Sequence, residues 1–115
     1  MCTKTELDII LKDFIIGLKN IFNEKLINVV LFGSYARGDY DDESDVDIAI
    51  LANISRGEER LYTDDIINLL SSVDKKYGYS VLLSPIVLSY SFFKEWQETI
   101  PFYQTVKNEG VKLIA

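Results

Sequence analysis

The chain has 115 residues, of which 48% are hydrophobic and 26% charged, and its formal net charge is −6. This length predicts one domain over residues 1–115, with enough apolar residues for a core. The single cysteine, Cys2, excludes an internal disulfide, and the lack of histidine excludes histidine acid–base catalysis and histidine metal ligands. No apolar run is long enough to cross a bilayer and no signal-peptide core is present, so the sequence predicts a cytoplasmic protein.

Hydrophobic spacing predicts four elements in the first half of the chain: a helix over 5–22, a strand over 27–32, a short helical turn over 35–38 and a strand over 45–51. The polar segment 39–44 joins the last two. Two interpretations of it are open: a loop that closes over a substrate, or an ordinary surface loop.

The second half predicts a helix over 58–77, stopped by Gly78, and a strand over 80–89. Pro85 lies inside that strand, which indicates an edge strand or a bulge, because proline cannot donate to a sheet. Two short helices follow, over 91–98 and 101–108.

The negative charge is concentrated in one short segment. Without the six acids of residues 39–47, the chain would have twelve acids and twelve bases and would be neutral. Such a cluster favours a cation site over a generally acidic surface, and it argues against a stand-alone nucleic-acid binder, which needs a basic surface. The six acids are Asp39, Asp41, Asp42, Glu43, Asp45 and Asp47.

The end of the first strand and the start of the second carry the candidate site. Asp45 and Asp47 are two residues apart in a strand, so both project from one face, roughly 7 Å apart at the backbone. Paired carboxylates at this spacing suit Mg²⁺ or Mn²⁺ bound together with substrate phosphates. Gly33 permits close approach of the backbone to a ligand, and Ser34 is expected to cap a turn whose N–H groups bind an anion.

Donors to a phosphate are expected from the Ser34 hydroxyl and from Arg37, so the segment indicates nucleoside triphosphate chemistry. A P-loop is excluded, because Asp39-Tyr40 stands where that motif needs Lys-Ser/Thr. A calcium loop is excluded too, because Ser44 replaces its glycine and Ile50 its bidentate glutamate. The remaining alternative is a solvated acidic loop between two core strands.

Gly33-Ser34-Tyr35-Ala36-Arg37-Gly38 with Ser44-Asp45-Val46-Asp47 resembles the minimal nucleotidyltransferase branch of the DNA polymerase β-like nucleotidyltransferases. The resemblance implies an α/β (α+β) fold with a small mixed sheet flanked by helices. It implies transfer of a nucleoside monophosphate, AMP from ATP, to an acceptor hydroxyl. It further implies that Gly33, Ser34, Arg37 and Ser44 bind the nucleotide, and that Asp45 and Asp47 are catalytic and hold Mg²⁺ or Mn²⁺.

The resemblance also implies a partner: a helical HEPN-type protein, with this chain as the antitoxin of a toxin–antitoxin pair that modifies a partner hydroxyl. Self-association stays open. Active members of the family carry a third carboxylate on the next strand, yet no Asp or Glu occurs from Lys75 to Lys94, and Ser80 is predicted at that position. Two alternatives therefore remain: an impaired module that acts by binding its partner, and transfer to a small molecule.

Overall fold

A computed structural model describes residues 4–41 and 43–114 of the chain. Within them, four strands form one mixed sheet in the order β3-β2-β1-β4. Strand β1 runs antiparallel to β2 and β4, and β2 runs parallel to β3. The strands are β1 (Leu26–Phe32), β2 (Val46–Ala52), β3 (Leu83–Ser89) and β4 (Val111–Lys112). This mixed sheet, flanked by helices, confirms the predicted fold class.

In the described part of the chain, five α-helices and two short 3-10 helices connect and cover the strands. The α-helices are α1 (Lys4–Phe22), α2 (Ser34–Arg37), α3 (Thr63–Lys76), α4 (Tyr90–Trp96) and α5 (Pro101–Glu109). The 3-10 helices cover Asn23–Lys25 and Arg56–Tyr62. Among the residues described, no helix has the length and apolarity that crossing a membrane requires.

Helices α1 and α3 pack on one face of the sheet, and α4 and α5 on the other. Phe14, Leu18 and Phe22 recur every four residues along α1, so they share one face, and all are buried. They meet Ile48 and Ile50 of β2. Full burial of such side chains stabilises the fold by about 1.5–3 kcal/mol each. The opposite face packs alternate residues of the same strands against the last two helices, and it is the face that carries Asp47.

Strand β3 is an edge strand, which is one of the two possibilities that Pro85 indicated. The Leu82 carbonyl accepts from the Val46 N–H at 2.8 Å, so residues 82, 84 and 86 turn their backbone groups toward β2. The alternate residues, among them Pro85, face the open edge, where the proline removes a donor. Further along, the Ser89 N–H donates to the Glu59 carboxylate at 2.7 Å. Both devices prevent another chain from pairing with this edge.

Two predicted boundaries are wrong. The helix expected over 58–77 is a 3-10 helix up to Tyr62, because Ser55 and Glu58 form a capping box that starts a separate turn. The strand expected from residue 80 starts at Leu83. Gly78 (φ +65°) and Tyr79 (φ +58°) both adopt left-handed backbone conformations, so the chain leaves α3 through a turn before it joins the sheet.

Candidate active site

Gly33 and Asp47 touch at the end of the sheet where β1 stops and β2 begins. Phe32 pairs with Asp47 in the antiparallel register, which brings the next residue, Gly33, against the carboxylate. Gly33 has φ +77°, and a Cβ atom placed on it would lie 2.2 Å from Oδ2 of Asp47. The backbone conformation and the contact both require glycine. The turn and the carboxylate therefore form one compact unit.

The turn after Gly33 forms the short helix α2. The Arg37 N–H donates to the Gly33 carbonyl at 3.0 Å, and the Gly38 N–H donates to the Ser34 carbonyl at 2.9 Å. Gly33 is the N-cap and Ser34 the first helical residue, so the prediction that Ser34 caps this turn is wrong. Within the described part of the chain, no protein group hydrogen-bonds the Ser34 hydroxyl, which leaves that hydroxyl free to donate to a ligand.

Asp45 and Asp47 lie side by side at this end of the sheet, Asp45 exposed and Asp47 partly buried. Burial raises the pKa of the Asp47 carboxyl above its ordinary value; the negative charge of Asp45 raises it further, while Arg37 opposes both. The two carboxylates thus repel each other. Such a pair of carboxylate oxygens suits a divalent cation, because the positive charge of the cation offsets the repulsion between them. Across residues 4–41 and 43–114, no group of three Asp, Glu, Cys or His side chains could hold a metal ion.

Ser84, not Ser80, is the β3 residue that stands beside Asp47. Parallel pairing places Ser84 opposite Asp47, and paired residues of neighbouring strands project from the same face. Ser80 precedes the strand, since β3 begins only at Leu83. The prediction that Ser80 holds the position of a third carboxylate is therefore wrong, and an exposed serine hydroxyl occupies that place on the sheet.

Arg37 and Ser44 lie next to this unit but bind other groups. The Arg37 guanidinium donates to Asp39 at 3.1 Å and to both carboxylate oxygens of Glu109 at 3.0 Å. These bonds, Asp39 first, raise the pKa of Arg37. The Ser44 hydroxyl donates to the Asp41 carboxylate at 3.1 Å and accepts from the Asp41 N–H at 2.9 Å. Either residue would have to exchange these partners before it could contact a nucleotide.

A small cavity of about 240 Å³ opens beside Asp45, between α2 and the turn that follows α3. Tyr35 and Tyr79 line it, and Tyr79 is 67% exposed with a left-handed backbone that is unusual for a bulky residue. Sequence reasoning did not single out Tyr79 or Ser84. Gly78 indicates a turn, but nothing in the sequence shows that this turn places Tyr79 near the carboxylates.

Comparison with known proteins decides the family. The nucleotidyltransferase domain family matches residues 15–98, a span that includes β1, α2, β2 and β3 and thus the whole candidate site. The chain belongs to this nucleotidyltransferase family. Its resemblance to nucleotidyltransferases, predicted from residues 33–38 and 44–47, is thereby confirmed, as is the prediction that it is an enzyme of this class.

Two relatives of this nucleotidyltransferase come from Methanocaldococcus jannaschii. "Putative protein adenylyltransferase MJ0141" is 39% identical over 104 residues, covering 90% of this chain and 95% of the relative. "Putative protein adenylyltransferase MJ0604" is 35% identical over 103 residues, covering 87% and 90%. Among solved structures, one titled "Crystal structure of the toxin-antitoxin with AMP-PNP" superposes with a TM-score of 0.52 at 21% identity, covering 90% of this chain and 73% of that one. This likeness supports the fold.

Proposed function

We propose that this nucleotidyltransferase transfers AMP from ATP to a hydroxyl group of a partner protein, with Mg²⁺ or Mn²⁺ as cofactor. The observation that carries the proposal is the contact between Gly33 and Asp47, which places the turn that begins at Gly33 against a pair of carboxylates. The two M. jannaschii relatives bear the name protein adenylyltransferase. The structural neighbour's title names a toxin–antitoxin with AMP-PNP, a nucleotide of the proposed kind.

Each residue of the unit has a role in the proposal. The backbone at Gly33 and the hydroxyl of Ser34 bind the outer phosphates, and Arg37 adds a charged donor once it leaves Glu109. Asp45 and Asp47 hold the divalent cation. When bound, such a cation neutralises phosphate charge and lowers the pKa of an attacking hydroxyl.

The proposed step is one substitution at the α-phosphorus of ATP. The acceptor oxygen forms a bond to that phosphorus, and the bond from phosphorus to the bridging oxygen of the leaving pyrophosphate breaks. The hydroxyl proton passes to solvent, and pyrophosphate leaves with the electron pair of the broken bond. Asp45 and Asp47 would hold the cation, and the acceptor oxygen attacks the phosphorus directly, so no protein nucleophile is required, in agreement with a chain that has no histidine.

Exposed apolar side chains next to the carboxylates favour a protein acceptor over a small molecule. Leu82, which directly precedes β3, is 58% exposed, and Ile86 on β3 is 40% exposed; they lie two residues before and two residues after Ser84, which pairs with Asp47. Apolar groups in such a place fit the contact surface of another protein. We propose a helical HEPN-type toxin as that partner, with this chain as its cytoplasmic antitoxin.

Intact-mass measurement tests the proposal. The protein and the product of its neighbouring gene are incubated with ATP and Mg²⁺, with Asp45→Asn as the matched variant. A gain of one or more AMP units on the partner, absent with the variant, is expected. An unmodified partner in a stable complex would contradict it.

Ser84 favours a second candidate function, an antitoxin that acts only by binding. A serine at this position supplies neither the charge nor the basicity of a carboxylate, so the site can bind ATP and a cation without efficient transfer. Protection of cells from the toxin separates the two functions. A binding antitoxin retains protection with Asp45→Asn, because the change conserves shape, whereas a transferase loses it.

A further inference from the structure

A second cavity lies at the opposite end of the sheet face that carries Asp47. It measures about 360 Å³ and is enclosed by β1, β4, α4 and α5. Asn28 pairs with Leu51 at this end, whereas Phe32 pairs with Asp47 at the other. Leu51 is four positions after Asp47 in β2, which is roughly 13 Å along the strand. The cavity is therefore separate from the candidate active site.

The walls of this cavity combine an apolar floor with a basic rim. Val30, Leu51, Phe93 and Val106 form the floor, and three lysines, Lys94, Lys107 and Lys112, stand at the rim. No described Asp or Glu lines the cavity, although the chain has eighteen acids and twelve bases. Such a rim is unexpected by chance in an acidic protein.

Two of the three lysines have no charged partner among the residues that the structure describes. Lys107 contacts the carboxylate of Glu98. Within residues 4–41 and 43–114, Lys94 and Lys112 form no ion pair. Their ammonium groups are thus available to an anion, with which charge-assisted hydrogen bonds are the strongest polar contacts a protein can offer.

The backbone is shaped around the cavity at two points. Strand β1 is irregular between Leu26 and Asn28, which leaves Ile27 unpaired at the rim. Such bulges often occur next to binding sites. A Cβ atom on Gly110 would lie 2.5 Å from Cγ1 of Val30 and 2.2 Å from the Val106 carbonyl oxygen. A glycine there lets the chain after α5 approach β1 and close the cavity from one side.

We propose that this cavity binds an organic phosphate, with an apolar ring system on the floor and the phosphate between Lys94 and Lys112. Its volume lies in the range of small-molecule sites and accommodates a mononucleotide-sized ligand. The Asn28 amide oxygen already accepts from the Val29 N–H at 2.8 Å, which leaves the amide NH₂ group to donate to the ring edge. The proposal goes beyond the transfer reaction and does not depend on it.

Titration with AMP in EDTA, without divalent cations, tests this site. Calorimetry measures the affinity, and amide NMR signals locate the ligand; shifts are expected at Asn28, Gly110 and Lys112. The double charge reversal Lys94→Glu with Lys112→Glu should weaken binding at least tenfold. The matched control reverses Lys12 and Lys19, two exposed lysines of α1, and changes the net charge equally. That control should alter the affinity less than twofold.

Three results would overturn the proposal. Equal losses in the two double variants would show a general charge effect. Loss of AMP binding with Ser34→Ala would place AMP at the candidate active site instead. Pyrophosphate binding as tightly as AMP would show that the apolar floor contributes nothing. The two proposals can also be tested separately. If AMP shifts the amide NMR signal of Gly110 in a protein that modifies no partner, the cavity proposal is supported and the transfer proposal is contradicted.

Discussion

The two ends of one sheet face carry opposite charge, and they acquire it differently. The acidic end takes its carboxylates from neighbouring positions, Asp45 and Asp47, so a nine-residue segment is sufficient to create it. The basic end gathers Lys94, Lys107 and Lys112 from two helices and a strand. A charge cluster encoded locally is visible in the sequence, whereas one assembled by packing is not.

The two ends also differ in what they do to stability. At the acidic end a partly buried carboxylate sits beside another, and the pKa of Asp47 is raised as a result. At the basic end, exposed ammonium groups surround an apolar floor and keep their hydration. The acidic end therefore opposes folding, as sites built for a charged ligand often do. Substitutions that disrupt one end and spare the other test this contrast.

Asp47→Asn should have the largest effect. Removal of one of the two carboxylates proposed to bind the cation should lose several kcal/mol of transition-state stabilisation, so transfer to the partner should fall about a thousandfold. The variant should also unfold at a higher temperature, because a repelled, partly buried charge is gone. Asp74→Asn is the control: burial likewise raises the pKa of this α3 carboxyl. It should gain stability without loss of transfer.

The pH dependence follows from the direction of the Asp47 shift. Its pKa is higher in the folded than in the unfolded chain, so ionisation costs folded-state stability. As the pH rises from below the ordinary aspartate value through the raised value, wild type should lose stability relative to Asp47→Asn. At low pH both side chains are neutral and the difference should vanish. Thermal unfolding of both proteins across acidic pH measures the difference in stability. A difference that does not change with pH would contradict a raised pKa of Asp47.

Gly33→Ala should have the next largest effect on transfer. A side chain at φ +77° introduces backbone strain of about 1–3 kcal/mol, and the new Cβ displaces the Asp47 carboxylate. Misplacement of a reacting group by about 1 Å costs roughly a hundredfold in rate. Gly78→Ala is the control, since Gly78 has φ +65° but no atom of a described residue would lie within 4 Å of an added Cβ. It should lose stability only; equal loss of transfer in both would disprove the contact's role.

Ser84→Asp should strengthen the acidic end. A third carboxylate beside Asp47 adds a hard oxygen ligand, so Mg²⁺-dependent ATP binding should tighten about tenfold, equivalent to 1.4 kcal/mol. Ser80→Asp, which precedes the strand but lines the cavity beside Asp45, is the comparison variant and should change the affinity less. Calorimetry with and without Mg²⁺ measures both. A larger gain from Ser80→Asp would show that the pairing of β2 with β3 does not define the cation site.

Ser34→Ala should have the smallest effect. Loss of one hydroxyl donor to a phosphate should weaken ATP binding by about 1 kcal/mol, roughly fivefold. Ser72→Ala, at an exposed position of α3, is the control and should leave the affinity unchanged. AMP binding in the basic cavity should be the same in both variants. An unchanged ATP affinity with Ser34→Ala would remove this hydroxyl from the site.

Much of the acidic end was predictable because its parts are close in the sequence. Strands β1 and β2 follow each other and pair directly, so the strand–turn–strand pattern of residues 27–51 specifies which ends meet. Alternation predicts that Asp45, directly before β2, and Asp47, inside it, share a face. The family follows from the same segment, and residues 15–98 match it.

What the sequence by itself determined is therefore the local chemistry: a glycine turn, two carboxylates and the strands that carry them. Tertiary structure alone decided that Ser84 stands beside Asp47, because the register of two strands more than thirty residues apart depends on the left-handed turn at Gly78 and Tyr79. It also decided that Arg37 binds Glu109 and that three lysines surround one cavity. Contacts between distant segments depend on how the helices and strands pack, and no short sequence motif determines that packing.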